Sequence, residues 1–176
     1  MIKDNHLSLR APEPEDLQIL YKWENDTSLW HLGSTNVPFS KFVLEQYILN
    51  NTHDIYSDKQ LRLMIDCKID NQTKTIGTLD LFDFEPAHKR AGIGILITKE
   101  ERNKGYAKKA LQLVVNYCFS TLHLHQLFCN ILENNADSKK LFISSGFVEI
   151  GKKKDWRLIN NQWETEILYQ LINKQG

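Results

Sequence analysis

Residues 91–97 read AGIGILI, an apolar run that no polar residue interrupts. Apolar side chains on both faces of such a segment indicate a strand that is buried on both sides of a sheet and ends at Thr98. Apolar residues then recur with helical spacing from Leu111 to Phe119, and this helix is predicted to end near Leu122. HQLFCNIL, residues 125–132, indicates the next strand. This order of strand, helix and strand predicts a parallel βαβ pairing inside the sheet.

Short strands and helices are predicted on the N-terminal side of this unit. LSLR at 7–10 indicates a strand, and PEPEDLQILYKWEN at 12–25 indicates a helix. LRLMIDCKID and TIGTLDLFDF alternate roughly between apolar and polar residues about the turn DNQT, which is the pattern of an antiparallel hairpin. A second helix is expected over 41–50, with Ser40 as its N-cap. The mostly apolar face of that helix is expected to carry Phe42, Val43, Gln46, Tyr47 and Leu49.

The C-terminal side continues the same alternation. DSKKLFISSGF at 137–147 predicts a helix closed by Gly146, and two last strands are expected around INNQ. The complete order, β-α-α-β-β-β-α-β-α-β-β, predicts a mixed, mostly antiparallel sheet that is flanked by about four helices. The chain has 176 residues, 41% of them hydrophobic, and shows no repeat or linker, so residues 1–176 are expected to form one domain.

The composition argues against several classes of protein. Lys plus Arg and Asp plus Glu both number 22, and a formal net charge of zero suggests neither a nucleic-acid platform nor binding to an anionic membrane. The three cysteines form no CxxC pair, and His123 and His125 have no third ligand nearby, so neither a disulfide framework nor a metal site is expected. A reducing compartment and an N-terminus without an apolar signal segment together predict a cytoplasmic protein.

The turn RNKGYA follows the buried strand and opens the long helix. A helix start of this kind presents free backbone N–H groups at the sheet edge, where they bind anions such as pyrophosphate. Gly105 removes the Cβ that would block close approach, and Lys104, Lys108 and Lys109 add positive charge. An ordinary solvated helix start with a glycine turn is the alternative, because so short a pattern is weak by itself.

At this turn the sequence resembles the GNAT superfamily of acetyl-CoA-dependent N-acetyltransferases, whose (Q/R)xxGx(G/A) turn cradles the cofactor pyrophosphate. Arg102, Gly105 and Ala107 match that turn. The resemblance extends from about Leu7 to Leu171 and includes GTLDLFDFEPAHKRAGIGILI before the turn and NNADSKKLFISSGF after it. It is greatest for the branch that holds the ribosomal-protein alanine and the bacterial spermidine N-acetyltransferases. HKRAGIGI and ALQLVVNYCFSTLHLHQLF look closest to the spermidine enzymes.

The resemblance implies a V-shaped opening between AGIGILI and QLFCNIL, where the pantetheine arm of acetyl-CoA enters. It implies that backbone N–H groups near Ile95, Leu96 and Ile97 hold the oxyanion of the reaction. The implied pyrophosphate turn comprises Arg102, Asn103, Lys104, Gly105, Tyr106 and Ala107. Gly92 and Gly94 fit close approach by a ligand, although relief of packing or a bulge is an alternative.

An amine acceptor must lose its proton before it attacks, because an alkylammonium has a pKa near about 10.4 in water. Asp80 and Asp83 stand where the spermidine enzymes carry acidic residues, and Glu85 follows them. Strand alternation places Asp80 and Asp83 on opposite faces unless a bulge intervenes, and Asp80 is the favoured base. A solvated acidic sheet edge is the alternative. Glu24 and Asp26, with Asn25 and the neighbouring tryptophans Trp23 and Trp30, are expected to line an amine pocket unless the tryptophans serve only helix packing.

The leaving thiolate lacks the general acid that the family often supplies, because Phe142 stands where a tyrosine is common. By resemblance, Ser138 lies near the cofactor sulfur and Asn135 contacts the cofactor. Ser138 is alternatively the N-cap of its helix. Either Ser138 or water then protonates the thiolate, or the thiolate leaves unaided. Cys129 is expected to be a small core residue rather than an acyl-carrying nucleophile.

These observations predict an acetyl-CoA-dependent N-acetyltransferase that acts by direct transfer on a primary amine. The acceptor is a polyamine-like small molecule or a protein N-terminus, and a homo-oligomer, a dimer or larger, is implied by the resemblance. A non-catalytic acyl-CoA-binding or sensing module is the alternative, which Phe142 motivates. A nucleic-acid contact at RNKGYAKK has little support in a neutral chain.

Overall fold

The computed structural model describes residues 2–30, 33, 37–50, 54–69 and 72–174. Within these ranges the backbone forms one eight-stranded sheet of order β1-β2-β3-β4-β5-β6-β8-β7. The strands are β1 (Ile2–Lys3), β2 (Leu7–Arg10), β3 (Leu61–Ile69), β4 (Gln72–Glu85), β5 (Arg90–Ile97), β6 (Gln126–Leu132), β7 (Val148–Ile159) and β8 (Gln162–Ile172). The helices are α1 (Leu17–Glu24), α2 (Lys41–Asn50), α3 (Ile55–Asp58), α4 (Tyr106–Ser120) and α5 (Ala136–Ser144).

The pairing of the strands confirms the predicted mixed sheet. β5 and β6 pair in parallel, and every other neighbouring pair of strands in the described sheet is antiparallel. β3 and β4 form the predicted hairpin, although Asp70 and Asn71 of its DNQT turn lie outside the described residues. β1 and α3 were not predicted, because segments of two and four residues carry too little periodicity to be recognised.

Local signals explain where the helices begin and end. Ser40 caps α2 as predicted, with its Oγ accepting a hydrogen bond from the Val43 N–H at 3.2 Å. The N-cap of α5 is Asn135, whose Oδ1 accepts from the Ser138 N–H at 3.1 Å, so the alternative that Ser138 is the cap is wrong. Gly146 follows α5 with φ of 93°, as expected for a residue that closes a helix in the left-handed region.

The helices cover opposite faces of the sheet. Leu63 and Ile65 of β3 belong to the large core cluster that also contains Ala110, Leu111, Val114 and Cys118 of α4. Met64, between them, packs instead with Leu20 and Trp23 of α1 and Ile48 of α2. Because successive side chains of a strand point to opposite faces, α1 and α2 lie on one side of the sheet and α4 on the other. Among the described helices, none is long and apolar enough to cross a membrane.

The predicted inward face of α2 is wrong. Leu44 and Ile48 are its buried residues, whereas Phe42, Val43 and Leu49 are exposed. α2 carries apolar side chains on both sides, so the sequence alone gives no clear direction to its hydrophobic face. The packing partners Leu20, Trp23 and Met64 decide which side turns inward.

Candidate active site

The two parallel strands at the centre of the sheet separate along their length. β5 and β6 pair only from Arg90 opposite Gln126 to Gly92 opposite Phe128. Both strands continue beyond this point, with β5 ending at Ile97 and β6 at Leu132. The V-shaped opening that the family resemblance implied is therefore present, and it begins directly after Gly92.

Backbone donors of β5 face this opening. The Thr98 N–H donates to the Ile76 carbonyl of β4 at 2.9 Å. Successive N–H groups along a strand point to opposite sides, so the N–H groups of Ile97 and Ile95 point away from β4 and toward β6. That of Leu96 points to β4. Of the three predicted oxyanion donors, two are directed into the opening and one is used within the sheet.

The turn before α4 presents a row of unused backbone donors. Gly105 is the N-cap residue of α4 at φ of 82°, and Asn103 also lies in the left-handed region at φ of 61°. Within the described part of the chain, no N–H group from Asn103 to Lys108 donates to a hydrogen bond. Consecutive donors at a helix start form a concave anion site. This geometry agrees with the predicted pyrophosphate turn.

Side-chain charge at the turn is more balanced than the sequence indicated. Lys104 Nζ lies 2.8 Å and Lys74 Nζ 2.7 Å from the Glu101 carboxylate, whose side chain is only 4% exposed. Hydrogen bonds from Lys104 and Lys74 lower the pKa of Glu101, so it stays ionised and neutralises part of their charge. Arg102 Nε donates to the Ile97 carbonyl at 3.0 Å and ties the turn to the end of β5.

A groove of about 760 Å³ runs from this end of β5 to the start of α5. Its walls include Asp26, Leu96, Ile97, Arg102, Asn134 and Asn135. Four predicted cofactor residues, Leu96, Ile97, Arg102 and Asn135, are thereby brought to one surface. Asp26, predicted to bind the acceptor, lies in this groove instead. Ser138 lies in the first turn of α5, close to Asn135, but does not line the groove.

A smaller cavity of about 180 Å³ lies next to the groove, and we call it the inner cavity. Its walls include Trp23, Glu24, Trp30, Arg62, Asp80 and Gly94. Trp23, Leu29 and Leu96 line both spaces, so the inner cavity adjoins the groove. Ile95, one of the two residues whose N–H faces the opening, also lines the inner cavity.

The charged floor of the inner cavity is a triad around Arg62. Arg62 Nε and Nη2 donate to Asp80 Oδ1 and Oδ2 at 2.7 and 3.1 Å, and Nη1 donates to Glu24 Oε1. Burial disfavours the charged guanidinium, but Asp80 and Glu24 outweigh this and raise the pKa of Arg62. The triad carries one net negative charge next to two tryptophans, an arrangement that attracts an alkylammonium.

The triad depends on one residue that sequence reasoning missed. Arg62 was not singled out, although it lies directly opposite Asp80 in the β3–β4 hairpin. The only sequence signal for this ion pair was that Arg62 and Asp80 lie at nearly matching distances on either side of the predicted turn. Oppositely charged residues that face each other across an antiparallel hairpin commonly pair. Glu24 reaches the triad from the last turn of α1, a contact that no sequence spacing indicates.

Asp83 and Glu85 lie outside the inner cavity. The β4–β5 register shifts between Phe82 and Glu85, and Asp83 is exposed at φ of 46°, so a bulge does intervene. Glu85 accepts from Arg90 Nη2 at 2.9 Å near the hairpin end. Asp80 is the one member of the predicted acidic group that reaches the cavity.

The two glycines of β5, Gly92 and Gly94, have different structural roles. A Cβ on Gly92 would lie 2.2 Å from the Phe82 ring, so this glycine relieves packing, which was the alternative interpretation. A Cβ on Gly94 would meet only a Phe82 ring atom, at 3.8 Å, and Gly94 borders the inner cavity. The 91–97 run is therefore not buried throughout: Gly94 to Leu96 are partly exposed because they line the cavity.

No hydroxyl stands at the position of the missing tyrosine. Phe142 is buried and packs edge-to-face on Phe147, with ring centroids 5.1 Å apart. Cys129 is also buried, and burial raises the pKa of its thiol. Since the thiolate is the nucleophilic form, a buried thiol of raised pKa is a poor nucleophile, in agreement with the core role predicted for Cys129.

Comparison with known proteins identifies the class to which this fold and opening belong. Residues 6–148 match the family described as Acetyltransferase (GNAT) domain, and the chain therefore belongs to the GNAT acetyltransferases. It is similar to spermidine N(1)-acetyltransferase from Vibrio cholerae, with 27% identity over 162 residues, 92% of this chain and 90% of the relative. The predictions of the GNAT fold, of an enzyme rather than a non-catalytic binding module, and of acetyl-CoA as acetyl donor are confirmed.

Two solved structures are similar over almost their whole length. Spermidine N-acetyltransferase from Vibrio cholerae in complex with CoA and spermine gives a TM-score of 0.82 at 25% identity, covering 96% of both chains. A dodecameric structure of the spermidine N-acetyltransferase from the same organism gives 0.79 at 25% identity, covering 96% of this chain and 95% of the other. The order of the elements and the opening are therefore those of a known acetyltransferase architecture.

Proposed function

We propose that this chain transfers the acetyl group of acetyl-CoA to a primary amine of a small polycation such as spermidine. The observation that carries the proposal is the inner cavity, which adjoins the cofactor groove and is lined by two tryptophans and by two carboxylates that pair with one arginine. An anionic, partly aromatic cavity suits an alkylammonium. The similarity to enzymes named for spermidine supports the same class of acceptor.

The residues on either side of the opening fit acetyl-CoA. The N–H groups of Ile95 and Ile97 offer hydrogen bonds to an extended pantetheine arm, and the donors from Asn103 to Lys108 offer them to a pyrophosphate. Arg102 and Asn135 also line the groove. When bound, acetyl-CoA supplies the thioester carbonyl that the amine attacks.

The chain's own contribution is to place the amine and exclude water. Trp23, Leu29 and Leu96 form the apolar wall where cavity and groove meet, and Ile95 N–H is directed into the opening beside them. A fixed donor in such a partly apolar site stabilises negative charge on an acyl oxygen more than water does. Phe142 offers no proton, and Ser138 is not on the groove wall, so we propose that solvent protonates the departing thiol.

The test is CoA release with purified protein across amines that differ in charge and size. We expect saturable turnover with spermidine and spermine, and at least about tenfold lower kcat/KM with butylamine, which carries a single ammonium and has less charge to bind. Peptides that begin with alanine or serine serve as the competing acceptors. Turnover of these peptides without turnover of polyamines would move the acceptor to a protein N-terminus and overturn the proposal.

We also propose that the protein is a homo-oligomer. The β7–β8 hairpin exposes Trp156, Leu158 and Trp163 together with Val148 and Ile150, which is unusual for a free surface. The similar spermidine N-acetyltransferase from Vibrio cholerae has a dodecameric structure, which supports a homo-oligomer for this chain too. Light scattering coupled to size-exclusion chromatography tests this, since a monomeric mass near 20.6 kDa at micromolar concentration contradicts the proposal.

A further inference from the structure

The triad in the inner cavity does not use its two carboxylates equally. Both oxygens of Asp80 accept from Arg62, at 2.7 and 3.1 Å, in a two-pronged pair. Glu24 gives only Oε1 to the guanidinium. Within the described part of the chain, Glu24 Oε2 has no hydrogen-bond donor, and Glu24 lines the cavity. Both oxygens of Asp80 are therefore occupied by Arg62, whereas Glu24 has one oxygen, Oε2, available to a ligand.

Glu24 is also held in place through its backbone. The Trp30 Nε1–H donates to the Glu24 carbonyl at 2.8 Å, and both side chains line the inner cavity. Arg62 is fixed in turn by its register opposite Asp80 on the neighbouring strand. The guanidinium is planar, and its Nε and Nη2 are held by Asp80, so its Nη1 points in one direction. This direction fixes the orientation of the Glu24 carboxylate.

We propose that Glu24 Oε2 receives the ammonium group of the acceptor, that Arg62 is the positioning residue that aims Glu24, and that Asp80 acts only by anchoring Arg62. This inference rests on the proposed amine acceptor and names the residue that selects it. It differs from the sequence prediction, in which Asp80 itself was the favoured base. Asp80 of β4 lines the inner cavity, but both of its carboxylate oxygens already accept hydrogen bonds from Arg62.

The first test replaces Glu24 by glutamine. The new side-chain amide would keep an oxygen for Arg62 and place an NH₂ donor where the ammonium would bind. We expect Glu24→Gln to raise the acceptor KM by tenfold or more, as for loss of a charged hydrogen bond, with acetyl-CoA KM changed less than twofold. Glu45→Gln is the matched control, because it removes the same charge from the exposed side of neighbouring α2 and touches neither space. If both variants have the wild-type acceptor KM, Glu24 does not bind the amine.

The second test separates anchoring from direct action by a double-mutant cycle. Asp80→Asn alone is expected to raise the acceptor KM about three- to tenfold, because Arg62 loses its anchor. In an Arg62→Met background, which keeps the apolar stem of the side chain without the guanidinium, the same Asp80→Asn change is expected to alter KM and kcat less than twofold. A tenfold loss of kcat on adding Asp80→Asn to Arg62→Met would show that Asp80 acts on the reaction itself and overturn the inference.

Failure of this inference can be told from failure of the proposed function. If wild-type protein acetylates no polyamine, the proposed acceptor is wrong, and the inference falls with it. If wild type acetylates polyamines while Glu24→Gln is as active as Glu45→Gln, only the inference is wrong. Thermal unfolding of each variant, compared with Glu45→Gln, shows whether a loss of activity reflects loss of folded protein. Arg62→Lys is a conservative variant that keeps a positive charge. If positive charge aims Glu24, the acceptor KM of Arg62→Lys should lie between those of wild type and Arg62→Met.

Discussion

Replacing Gly105 by alanine tests the turn before α4. The substitution has one effect on folding, through the backbone conformation, and another on acetyl-CoA binding, and the two effects can be measured separately. Gly105 has φ of 82°, a left-handed conformation that costs an L-residue about 1–2 kcal/mol. No heavy atom of the protein would lie within 4 Å of the added Cβ. The cost to folding is therefore that of the backbone alone, about 2–8 °C in Tm for a chain of this length.

The cost to acetyl-CoA binding should be larger. The added methyl group would project from the turn that carries the unused N–H donors from Asn103 to Lys108, which a phosphate must approach to about 3 Å to form hydrogen bonds. Losing one or two charge-assisted hydrogen bonds corresponds to about 1.5–3 kcal/mol or more, so KM for acetyl-CoA should rise at least about tenfold. The acceptor KM should stay within about twofold of wild type, because the turn lies outside the inner cavity.

Gly146→Ala is the matched control. Gly146 has φ of 93°, and an added Cβ would meet Leu171 Cδ1 at an ordinary 3.4 Å, at the end of α5. It should lower Tm about as much as Gly105→Ala without changing KM for acetyl-CoA. The assay is initial-rate CoA release at saturating acceptor, repeated with acetyl-pantetheine, which lacks the pyrophosphate. An equal rise in KM for acetyl-CoA and for acetyl-pantetheine, or no rise in KM for either acetyl donor, would refute a pyrophosphate site at Gly105.

Three further changes test packing, charge and mechanism. Gly92→Ala places a Cβ 2.2 Å from the Phe82 ring and should cost about 1–3 kcal/mol in urea unfolding, most of it recovered when Phe82→Leu is added. Burial is the largest single influence on Asp16 and raises its pKa, but the hydrogen bonds from Arg10 and the Glu13 N–H, together with the Arg10 charge, outweigh it, and the net shift is downward. The resulting stability is present above about pH 3.9 and is lost as pH falls through the lower folded pKa. Arg10→Met should cost about 3 kcal/mol at pH 7 and less near pH 4, where the stranded Asp16 carboxylate protonates. Cys129→Ala should leave kcat within about threefold of wild type with intersecting initial-rate plots, whereas parallel plots in wild type would indicate an acyl-cysteine.

Local sequence patterns determined most of the secondary structure, because they depend on residues close together in the chain. The AGIGILI run, the helical spacing from Leu111 to Phe119 and the NN turn of the last hairpin each act over a few residues. The parallel pairing of β5 and β6 followed from the length of the connecting helix. The RNKGYA turn was likewise identified from sequence, because the φ of 82° at Gly105 is a local requirement.

Tertiary structure alone decided which residues meet in the inner cavity. Glu24 ends a helix and Arg62 lies on a strand 38 residues later, so their contact depends on how α1 packs over the sheet. The same packing turned Leu44, rather than Phe42, toward the core. The bulge at Asp83 removed one predicted carboxylate from the site, and the pairing with Arg62 occupied another, Asp80. Sequence spacing fixes what a helix or strand presents, but the choice among carboxylates rests on distances between elements, which only the folded chain sets.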